Sequence, residues 1–371
     1  MTKTEEQLLQ LLRAALLNKP VDAGVFKGAA WLSIFRLADV QKVQAIALDG
    51  ARLLPADCLA TIPQGEKLKR VAQVIQTERT NRLHRSVIVK TDTALKAEGI
   101  KAVFMKGQTT ALRYPNPLHR APGDIDFVVA PKDFERTMAV MESLGKVDHA
   151  LVHEHHGMAW IDGVTIEPHY KVHNYQCPST DKAMAKIFAS ICPDGLASAE
   201  IDGHEISVFP PTLESVFLIS HKVNHIYEEG LGLRQVIDYA MFLSNCASDI
   251  DWQLHADYLQ RMKMTRAWRI FTCICAEYFG VAMPMAVEPY TPREKRWAER
   301  LMTDIMAVGN FGRGQYVFKH NGIADAFRNY CWVAKRCLRL GFVCPSEARW
   351  WMISKVTRFF WKRAKEKGQN A

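Results

Sequence analysis

Two aspartates, Asp124 and Asp126, lie two residues apart in the segment DIDFVV, which alternates between polar and apolar residues. Such alternation is typical of a β-strand, in which residues two apart point to the same side. The two carboxylates therefore leave one face of the strand, while Ile125 and Phe127 enter the core. Two carboxylates held this close repel each other unless a cation lies between them. Two-metal phosphoryl or nucleotidyl transfer uses this arrangement.

A third carboxylate is offered by Glu167, near the end of a predicted β-hairpin. Apolar residues flank Asp162-Gly163, a pair that favours a two-residue hairpin turn, and Glu167 is an isolated charge at the end of the second strand. A structural glutamate on an edge strand is the alternative interpretation. If Glu167 is not the third acid, Asp162 and Glu154 are the next candidates.

The elements before Asp124 have to position it. Residues 101–105 form a short apolar run that predicts a strand, and this run ends abruptly at Lys106-Gly107. A helix is predicted over 108–114, and a loop rich in proline leads from it to the strand that carries the aspartates. The other elements predicted here are that strand over 124–129, a helix over 132–144, and strands over 147–155, 157–161 and 164–170.

Together these motifs resemble the DNA polymerase β-type nucleotidyltransferase superfamily, with a glycine after a first strand, an Asp-x-Asp on the second and an acidic residue on a later one. Within it, the chain resembles the uncharacterised nucleotidyltransferase family of bacteria over roughly residues 25 to 245. The segment Lys106-Gly107-Gln108-Thr109 is also similar to a motif of AbiEii-type toxin nucleotidyltransferases. The resemblance is carried by Lys106-Gly107, Tyr114-Pro115-Asn116-Pro117, Arg120, Gly123-Asp124-Ile125-Asp126, Glu167-Pro168-His169, His221, His225, Arg234 and Asp238.

This resemblance implies an α+β fold: a polymerase β-like nucleotidyltransferase core, with a mixed β-sheet and helices, flanked by N-terminal and C-terminal helical regions. It also implies transfer of an NMP from an NTP to an acceptor hydroxyl, with release of pyrophosphate. Asp124, Asp126 and Glu167 would be the catalytic residues and would hold two Mg²⁺ (or Mn²⁺) ions. The residues that would bind the nucleotide are Lys106, Gly107, Gln108, Thr109, Arg120, Lys222 and Arg234.

The chain departs from the superfamily at Gly107-Gln108, where a Gly-Ser pair is expected. A hydroxyl for the triphosphate would then have to come from Thr109 or Thr110. A catalytically degenerate module that binds nucleotide or RNA, and that acts through its basic C-terminal tail, is therefore the alternative function. The acceptor stays open between a small molecule, a sugar phosphate, an RNA end and a protein hydroxyl, and toxin-like modification of RNA is one variant.

Histidines are frequent around the predicted hairpin, at positions 149, 153, 155, 156, 169 and 173. A zinc site is one interpretation, but no cysteine partner or fixed ligand spacing supports it. Histidines beside a phosphate-handling cleft are the favoured interpretation. His221 and His225 lie one helical turn apart on a predicted helix over 213–227, which is a weak metal-binding pattern without further ligands.

The composition sets the broad class of the protein. A chain of 371 residues suggests two or three domains, and a hydrophobic content of 48% is typical of globular proteins. The N-terminus lacks a signal-peptide pattern, and no segment is apolar enough to predict a membrane span. Nine cysteines without paired metal spacing predict free thiols. We therefore expect a reduced, cytoplasmic protein.

Four units are predicted along the chain. Residues 1–99 form a helical region that ends in one long helix over 65–99, and residues 100–210 form the nucleotidyltransferase catalytic domain. Residues 211–325 form a helical domain that closes the cleft. Residues 326–371 form a basic, aromatic-rich helical tail.

That tail accounts for the whole net positive charge of the chain. The net charge is +9, and residues 328–371 contain eleven Lys and Arg against two Glu. A tail of this kind is suited to RNA, an anionic membrane surface or an acidic partner. The alternative, which we favour for the aromatic residues, is a terminal helix pair that packs on the body of the protein. The aromatic residues of the tail are Trp332, Trp350, Trp351, Phe359, Phe360 and Trp361.

Overall fold

A seven-stranded mixed sheet organises the computed structural model, which describes residues 1–149, 155–312 and 323–355. The strand order is β3-β4-β5-β2-β1-β7-β6. Strand β2 is central, antiparallel to β1 and parallel to β5. The strands are β1 Val103–Met105, β2 Ile125–Val128, β3 Lys146–Val147, β4 Ala159–Ile161, β5 Val164–His169, β6 Ala197–Ile201 and β7 His204–Val208.

Five helices precede the sheet. The 34-residue α5 is the predicted long helix, and it is followed by Gly99, whose φ of +68° suits a glycine after a helix end. Residues 31–52 form two helices, because Lys42 takes a left-handed conformation between them. These helices are α1 Lys3–Leu17, α2 Trp31–Gln41, α3 Gln44–Arg52, α4 Ala56–Ala60 and α5 Gln64–Ala97.

The remaining helices lie between and after the strands. They are α6 Gln108–Ala111, α7 Phe134–Leu144, α8 Pro178–Ile191, α9 Pro211–Glu228, α10 Leu233–Cys246, α11 Trp252–Arg261, α12 Thr265–Phe279, α13 Pro292–Val308 and α14 Ile323–Leu340. Residues 345–355 are also helical.

The sheet separates two hydrophobic cores. Ile125 and Phe127 enter the smaller one, where they pack with Phe104 and with residues of α5 and α7, as the alternation of DIDFVV predicted. Val128, two residues from Asp126, belongs to the larger core, which contains α1–α3 and most of the helices after β7. The larger core therefore crosses the predicted boundaries at 99/100 and 210/211. The four predicted units pack together through it.

Some predicted elements differ from those observed. The strand predicted over 147–155 is short, and residues 150–154 lie outside the described ranges. Helix α6 has one turn rather than the two predicted, because Tyr114 and Pro115 begin the loop that leads to β2. Helix α8 and the β6–β7 hairpin were missed. The hairpin turns at Asp202-Gly203, and β7 joins the sheet beside β1.

The described part of the C-terminal tail packs on the body of the protein. Trp351 is 2% exposed, and the Trp332 indole donates a hydrogen bond to the Glu228 carbonyl. The Glu347 carboxylate is fully buried and accepts hydrogen bonds from the backbone N–H groups of Gln176 and Cys177. The packing expected of the aromatic residues is confirmed for these two tryptophans. Phe359, Phe360 and Trp361 lie outside the described residues.

Two broader expectations concern membranes and thiols. Across the described ranges, no helix combines the length and apolar character that crossing a bilayer requires. All nine cysteines have free thiols, as predicted, and Cys273 and Cys275 are buried in α12.

Candidate active site

Asp126 and Glu167 lie side by side on neighbouring strands. Asp126 of β2 is in register with Glu167 of the parallel strand β5, so both side chains leave the same face of the sheet. Asp126 is 4% exposed. Lys106, directly after β1, places its Nζ 3.0 Å from Asp126 Oδ1. Two acidic residues far apart in sequence thus lie on one face, and Asp126 forms an ion pair with Lys106.

An unusual backbone conformation turns the chain between β1 and α6. Lys106 and Gly107 both have positive φ, at 45° and 58°. Gly107 combines its φ with a ψ of −117°, a region that residues with a Cβ rarely adopt. The turn brings the Lys106 side chain onto β2. It explains why a glycine follows the lysine.

The protonation states follow from the crowding of charge. Burial alone would raise the pKa of Asp126, but Lys106 and the hydrogen bond with His169 outweigh it and hold this pKa well below the usual range. Burial and the Asp126 charge raise the pKa of Glu167 to about 8. Asp124 is exposed just before β2, and the surrounding protein and Asp126 also raise its pKa. Among the described residues, the cleft therefore has more carboxylates than the Lys106 ammonium can neutralise.

Histidines extend this acidic cluster along the sheet. His169 Nε2 lies 3.1 Å from Asp126 Oδ1 and 3.8 Å from Glu167 Oε2. His156 Nε2 lies 3.9 Å from the same Glu167 oxygen. His155 is hydrogen-bonded to His156, with 3.0 Å between Nε2 and Nδ1. Of the six histidines predicted to crowd this region, His155, His156 and His169 thus form a contiguous group at the carboxylates, whereas His149 is exposed beside Glu142 and position 153 lies outside the described residues.

Helix α9 adds more imidazoles opposite the sheet. His221 Nε2 lies 2.9 Å from Lys106 Nζ, and His225 Nε2 lies 3.3 Å from His221 Nε2. The His173 and His221 rings are 5.2 Å apart. Burial and neighbouring positive groups lower the pKa of His173 and His221, which keeps both neutral at physiological pH. A neutral His221 accepts a hydrogen bond from the Lys106 ammonium.

Arg120 and Arg234, both predicted to bind the nucleotide, have different surroundings. Arg120 is buried and forms two hydrogen bonds with the Asp238 carboxylate, which also accepts one from Tyr114. Arg234 donates to the backbone carbonyls of residues 121 and 122 and lies beside Gly123. Arg234 therefore sits next to the loop that delivers Asp124, whereas Arg120 holds α10 to that loop.

The other predicted nucleotide-binding side chains point inward. Gln108 is buried and donates to Asn81 of α5, at 2.6 Å. The Thr109 hydroxyl donates to the Lys106 carbonyl, and Thr110 is fully buried. Lys222 is buried and donates to the Leu218 carbonyl within α9, and burial lowers its pKa to about 8. The structure gathers Lys106, Gly107, Asp124, Asp126, Glu167 and Arg234 around the cleft, whereas the polar groups of Gln108, Thr109, Arg120 and Lys222 are engaged inside the protein.

The β4–β5 hairpin places two of these histidines, His156 and His169, beside Glu167. Strands β4 and β5 are joined by a turn at Asp162-Gly163. The register of this hairpin continues beyond the strands to an isolated bridge between His156 and His169. Counting back from that turn would have paired the two histidines and placed them on the face of Glu167. The contact of His221 with Lys106 depends on the docking of α9, for which the sequence holds no local signal.

A cavity of about 480 Å³ opens beyond the histidines, between the segment after β5 and helix α8. Apolar side chains dominate its wall, with Val172, Met184 and Phe188 among them, and His173 also lines it. His173 thus connects the cavity with the histidines of the cleft.

Comparison with known proteins places this geometry in context. The sequence model of a family described as "Uncharacterised nucleotidyltransferase" matches residues 27–280, more than half of the chain. No curated protein matches the chain significantly. Among solved structures, an antigenic nucleotidyltransferase-like protein from Paracoccidioides brasiliensis is similar, with 14% identity over 48% of this chain and 87% of that one. Its TM-score of 0.29 is too low to establish a shared fold.

Proposed function

Because the chain belongs to the uncharacterised nucleotidyltransferase family, we propose that it transfers the nucleotidyl group of an NTP to an acceptor hydroxyl and releases pyrophosphate. The observation that carries this proposal is the in-register pair of Asp126 and Glu167, with the Lys106 ammonium 3.0 Å from Asp126. Carboxylates for divalent cations and an ammonium for phosphate charge are the groups that this reaction needs.

The carboxylates fit divalent cations. Asp126, Glu167 and the exposed Asp124 would hold them, since all three belong to one side of β2 and β5. When bound, the cations would orient the triphosphate and lower the pKa of the acceptor hydroxyl. The pKa of Glu167, raised to about 8 by burial and by Asp126, reflects a local excess of negative charge that cations relieve.

The remaining groups act on the phosphates. The acceptor oxygen forms a bond to the α-phosphorus, and the bond from that phosphorus to the bridging oxygen breaks, so pyrophosphate leaves with the electron pair. The hydroxyl proton passes to the carboxylates of the cleft. Lys106, held between Asp126 and His221, is positioned to neutralise the charge that builds on the leaving pyrophosphate. Gly107 keeps the backbone beside it free of a side chain.

Arg234 is the second cation that we assign to the triphosphate, because it borders the loop before Asp124 and, although buried, its Nε has no hydrogen-bond partner among the described residues, while Nη1 donates to the carbonyls of residues 121 and 122. Gln108, Thr109, Arg120 and Lys222 are assigned to the support of the cleft, since their polar groups are engaged inside the protein. This assignment revises the set of nucleotide-binding residues expected from the resemblance.

The direct test is incubation of the full-length protein with each α-labelled NTP, Mg²⁺ or Mn²⁺, and a cell lysate as the source of acceptor. We expect the label to move to an acceptor and pyrophosphate to be released. The Asp124→Asn/Asp126→Asn double variant should do neither. Absence of metal-dependent pyrophosphate release with every NTP and acceptor fraction would refute the proposal.

A degenerate binding module is the second candidate function, and one observation favours it. The Thr109 hydroxyl, which would replace the serine of the superfamily, donates to the Lys106 carbonyl instead of facing the cleft. Such a module would bind nucleotide or RNA without turnover. It would tolerate the loss of Asp126 in any functional assay, which the transferase would not.

A further inference from the structure

The carboxylate pair of the cleft is part of a larger set of four donor groups. We propose that this cleft binds a divalent first-row transition metal that accepts nitrogen ligands, such as Fe²⁺, Co²⁺ or Zn²⁺, through Asp126, Glu167, His169 and His156. The inference deepens the proposed function, on which it rests for the reaction that the metal serves. It differs from the expectation of an all-oxygen magnesium site, because two of the four ligands are imidazoles.

Strand register brings the four side chains together. The β4–β5 pairing runs from Ile161 opposite Val164, and the same register continues to the bridge between His156 and His169. Directly opposed residues of an antiparallel pair share a face, and so do residues two apart on one strand. Glu167 and both histidines are therefore on one face, which Asp126 shares through the parallel pairing of β2 with β5.

The distances between the donor atoms suit one small cation. Glu167 Oε2 lies 3.8 Å from His169 Nε2 and 3.9 Å from His156 Nε2, and Asp126 Oδ1 lies 3.1 Å from His169 Nε2. Tetrahedral ligands about 2.0–2.1 Å from a metal are roughly 3.3–3.4 Å from each other. The donor atoms of Asp126, Glu167 and His169 all lie within 4.8 Å of one another, so small side-chain adjustments would close these three around an ion, and a larger movement of the His156 ring would add it as the fourth ligand.

The donor chemistry selects the metal. Mg²⁺ favours oxygen ligands and retains several waters, whereas imidazole suits zinc, copper, iron and nickel ions. Asp126, Glu167 and His169 form one potential ligand group, and His155, His156 and His169 form another that shares His169. Two overlapping groups at one place favour a nitrogen-binding cation there.

His155 is a positioning residue in this scheme. Its Nε2 is engaged with His156 Nδ1 at 3.0 Å, which leaves His156 Nε2 on the side of Glu167. Hydrogen bonds to the second ring nitrogen orient metal-binding histidines and tune their basicity. Loss of His155 should therefore weaken metal binding less than loss of His156 or His169.

The test uses Co²⁺ as the probe on chelator-treated, full-length protein, followed by its visible d–d absorption. We expect one Co²⁺ per chain with the strong absorption of a four-coordinate site, unaffected by a large excess of Mg²⁺. His156→Gln and His169→Gln should each weaken Co²⁺ binding by about tenfold or more. His149→Gln is the matched control, because His149 is exposed and contacts only Glu142 among described partners.

A second measurement needs no variant. Mn²⁺ bound to the wild-type protein should show ¹⁴N coupling from imidazole in pulsed electron paramagnetic resonance. Absence of that coupling, or displacement of Co²⁺ by Mg²⁺ at similar concentrations, would overturn the inference.

The inference and the proposed function can fail separately. Asp124 lies outside the four-donor set, so Asp124→Asn should abolish transfer while keeping the Co²⁺ spectrum. Histidine-dependent Co²⁺ binding without any transfer would leave the metal site standing and remove the function. Nucleotidyl transfer with Mg²⁺ but without histidine-dependent Co²⁺ binding would support the proposed function and refute the metal site.

Discussion

The Lys106 ammonium lies 3.0 Å from the Asp126 carboxylate and 2.9 Å from His221 Nε2, so one lysine connects the sheet to helix α9. Asp126 is 4% exposed, and an ionised carboxylate at this depth requires a positive partner. Lys106 supplies that partner. The same residue is thus part of the stability of the cleft and part of its proposed chemistry.

Replacing Lys106 by Met should lower both stability and activity. The free energy of unfolding should fall by about 2 kcal/mol, less than for a fully buried pair because Lys106 is 24% exposed. Transfer should fall by about 10²–10³-fold, because charge on the leaving pyrophosphate loses its counter-charge. Urea unfolding and label-transfer rates measure the two effects.

Lys132→Met is the matched control for Lys106→Met, since Lys132 is exposed before α7 and both changes remove one ammonium. Both residues carry a Cβ before and after substitution, so the positive φ of Lys106 adds no difference between the variants. If the two variants had equal stability and activity, Lys106 would have no role in the stability or the chemistry of the cleft.

Mg²⁺ or Mn²⁺ together with an NTP should raise the melting temperature. A ligand that binds only the folded state stabilises it by about 2.7 kcal/mol at one hundred times its Kd. The Asp124→Asn/Asp126→Asn variant should fold and lose this shift. The exposed Asp194→Asn variant should keep it. A full shift in the double variant would show that the ions bind elsewhere.

Glu167→Gln should abolish transfer and leave the fold intact, because the change removes a charge and little volume. It should also change how stability depends on pH. The folded-state pKa of Glu167 is raised from 4.5 to about 8. Its contribution to the free energy of unfolding is therefore full below about pH 4.5 and is lost as the pH rises to 8. In metal-free protein, wild type should lose stability over that interval relative to Glu167→Gln.

The control for this pH series is the exposed Glu205→Gln variant on β7. Its unfolding free energy should follow wild type at every pH. Parallel curves for Glu167→Gln and wild type, with activity within a few-fold, would return Glu167 to a structural role. Asp162 or Glu154 would then be the acid to test.

Local patterns predicted the elements that carry the acids, and long-range docking decided the rest. The alternation around Asp126 and the Asp162-Gly163 turn each fix a face or a register within a few residues, and both were visible in the sequence. The family match confirms the resemblance to uncharacterised nucleotidyltransferases, while the relationships to polymerase β and AbiEii proteins stay predictions. Contacts such as Gln108 with Asn81 depend on how α5 packs, which no local pattern encodes.

Arg120 illustrates this limit, because its partner Asp238 is 118 residues away. Arg120→Met should cost about 3–5 kcal/mol, since it leaves the buried Asp238 charge unpaired. The exposed Arg82→Met control, which breaks a 3.7 Å surface pair with Glu78, should cost less than about 1 kcal/mol. Urea unfolding measures both. Unchanged stability with a raised KM for NTP would instead make Arg120 a phosphate-binding residue.

The last prediction separates packing from charge in the C-terminal tail. Removing residues 346–371 deletes Glu347 and Trp351, which are buried, so this truncation should destabilise or unfold the protein. Removing only residues 356–371 keeps both and deletes five basic residues and one acidic one, a loss of four positive charges. The shorter truncation should therefore keep the packing that the structure describes, and a loss of folding in it would show that Phe359, Phe360 or Trp361 also belongs to the core.

If the basic tail binds RNA, the shorter truncation should weaken binding and flatten its dependence on salt. Each neutralised phosphate of a single strand contributes about 0.7 to the slope of log K against log salt, so four lost charges flatten it by up to about three. Nucleotidyl transfer to a small acceptor should persist, because Asp126 and Lys106 are untouched. Fluorescence anisotropy with a labelled RNA across a salt series measures the slope. An unchanged slope in a truncated protein that still folds would show that the charged residues of 356–371 are only exposed to solvent. Packing on the body of the protein would then be the role of the tail.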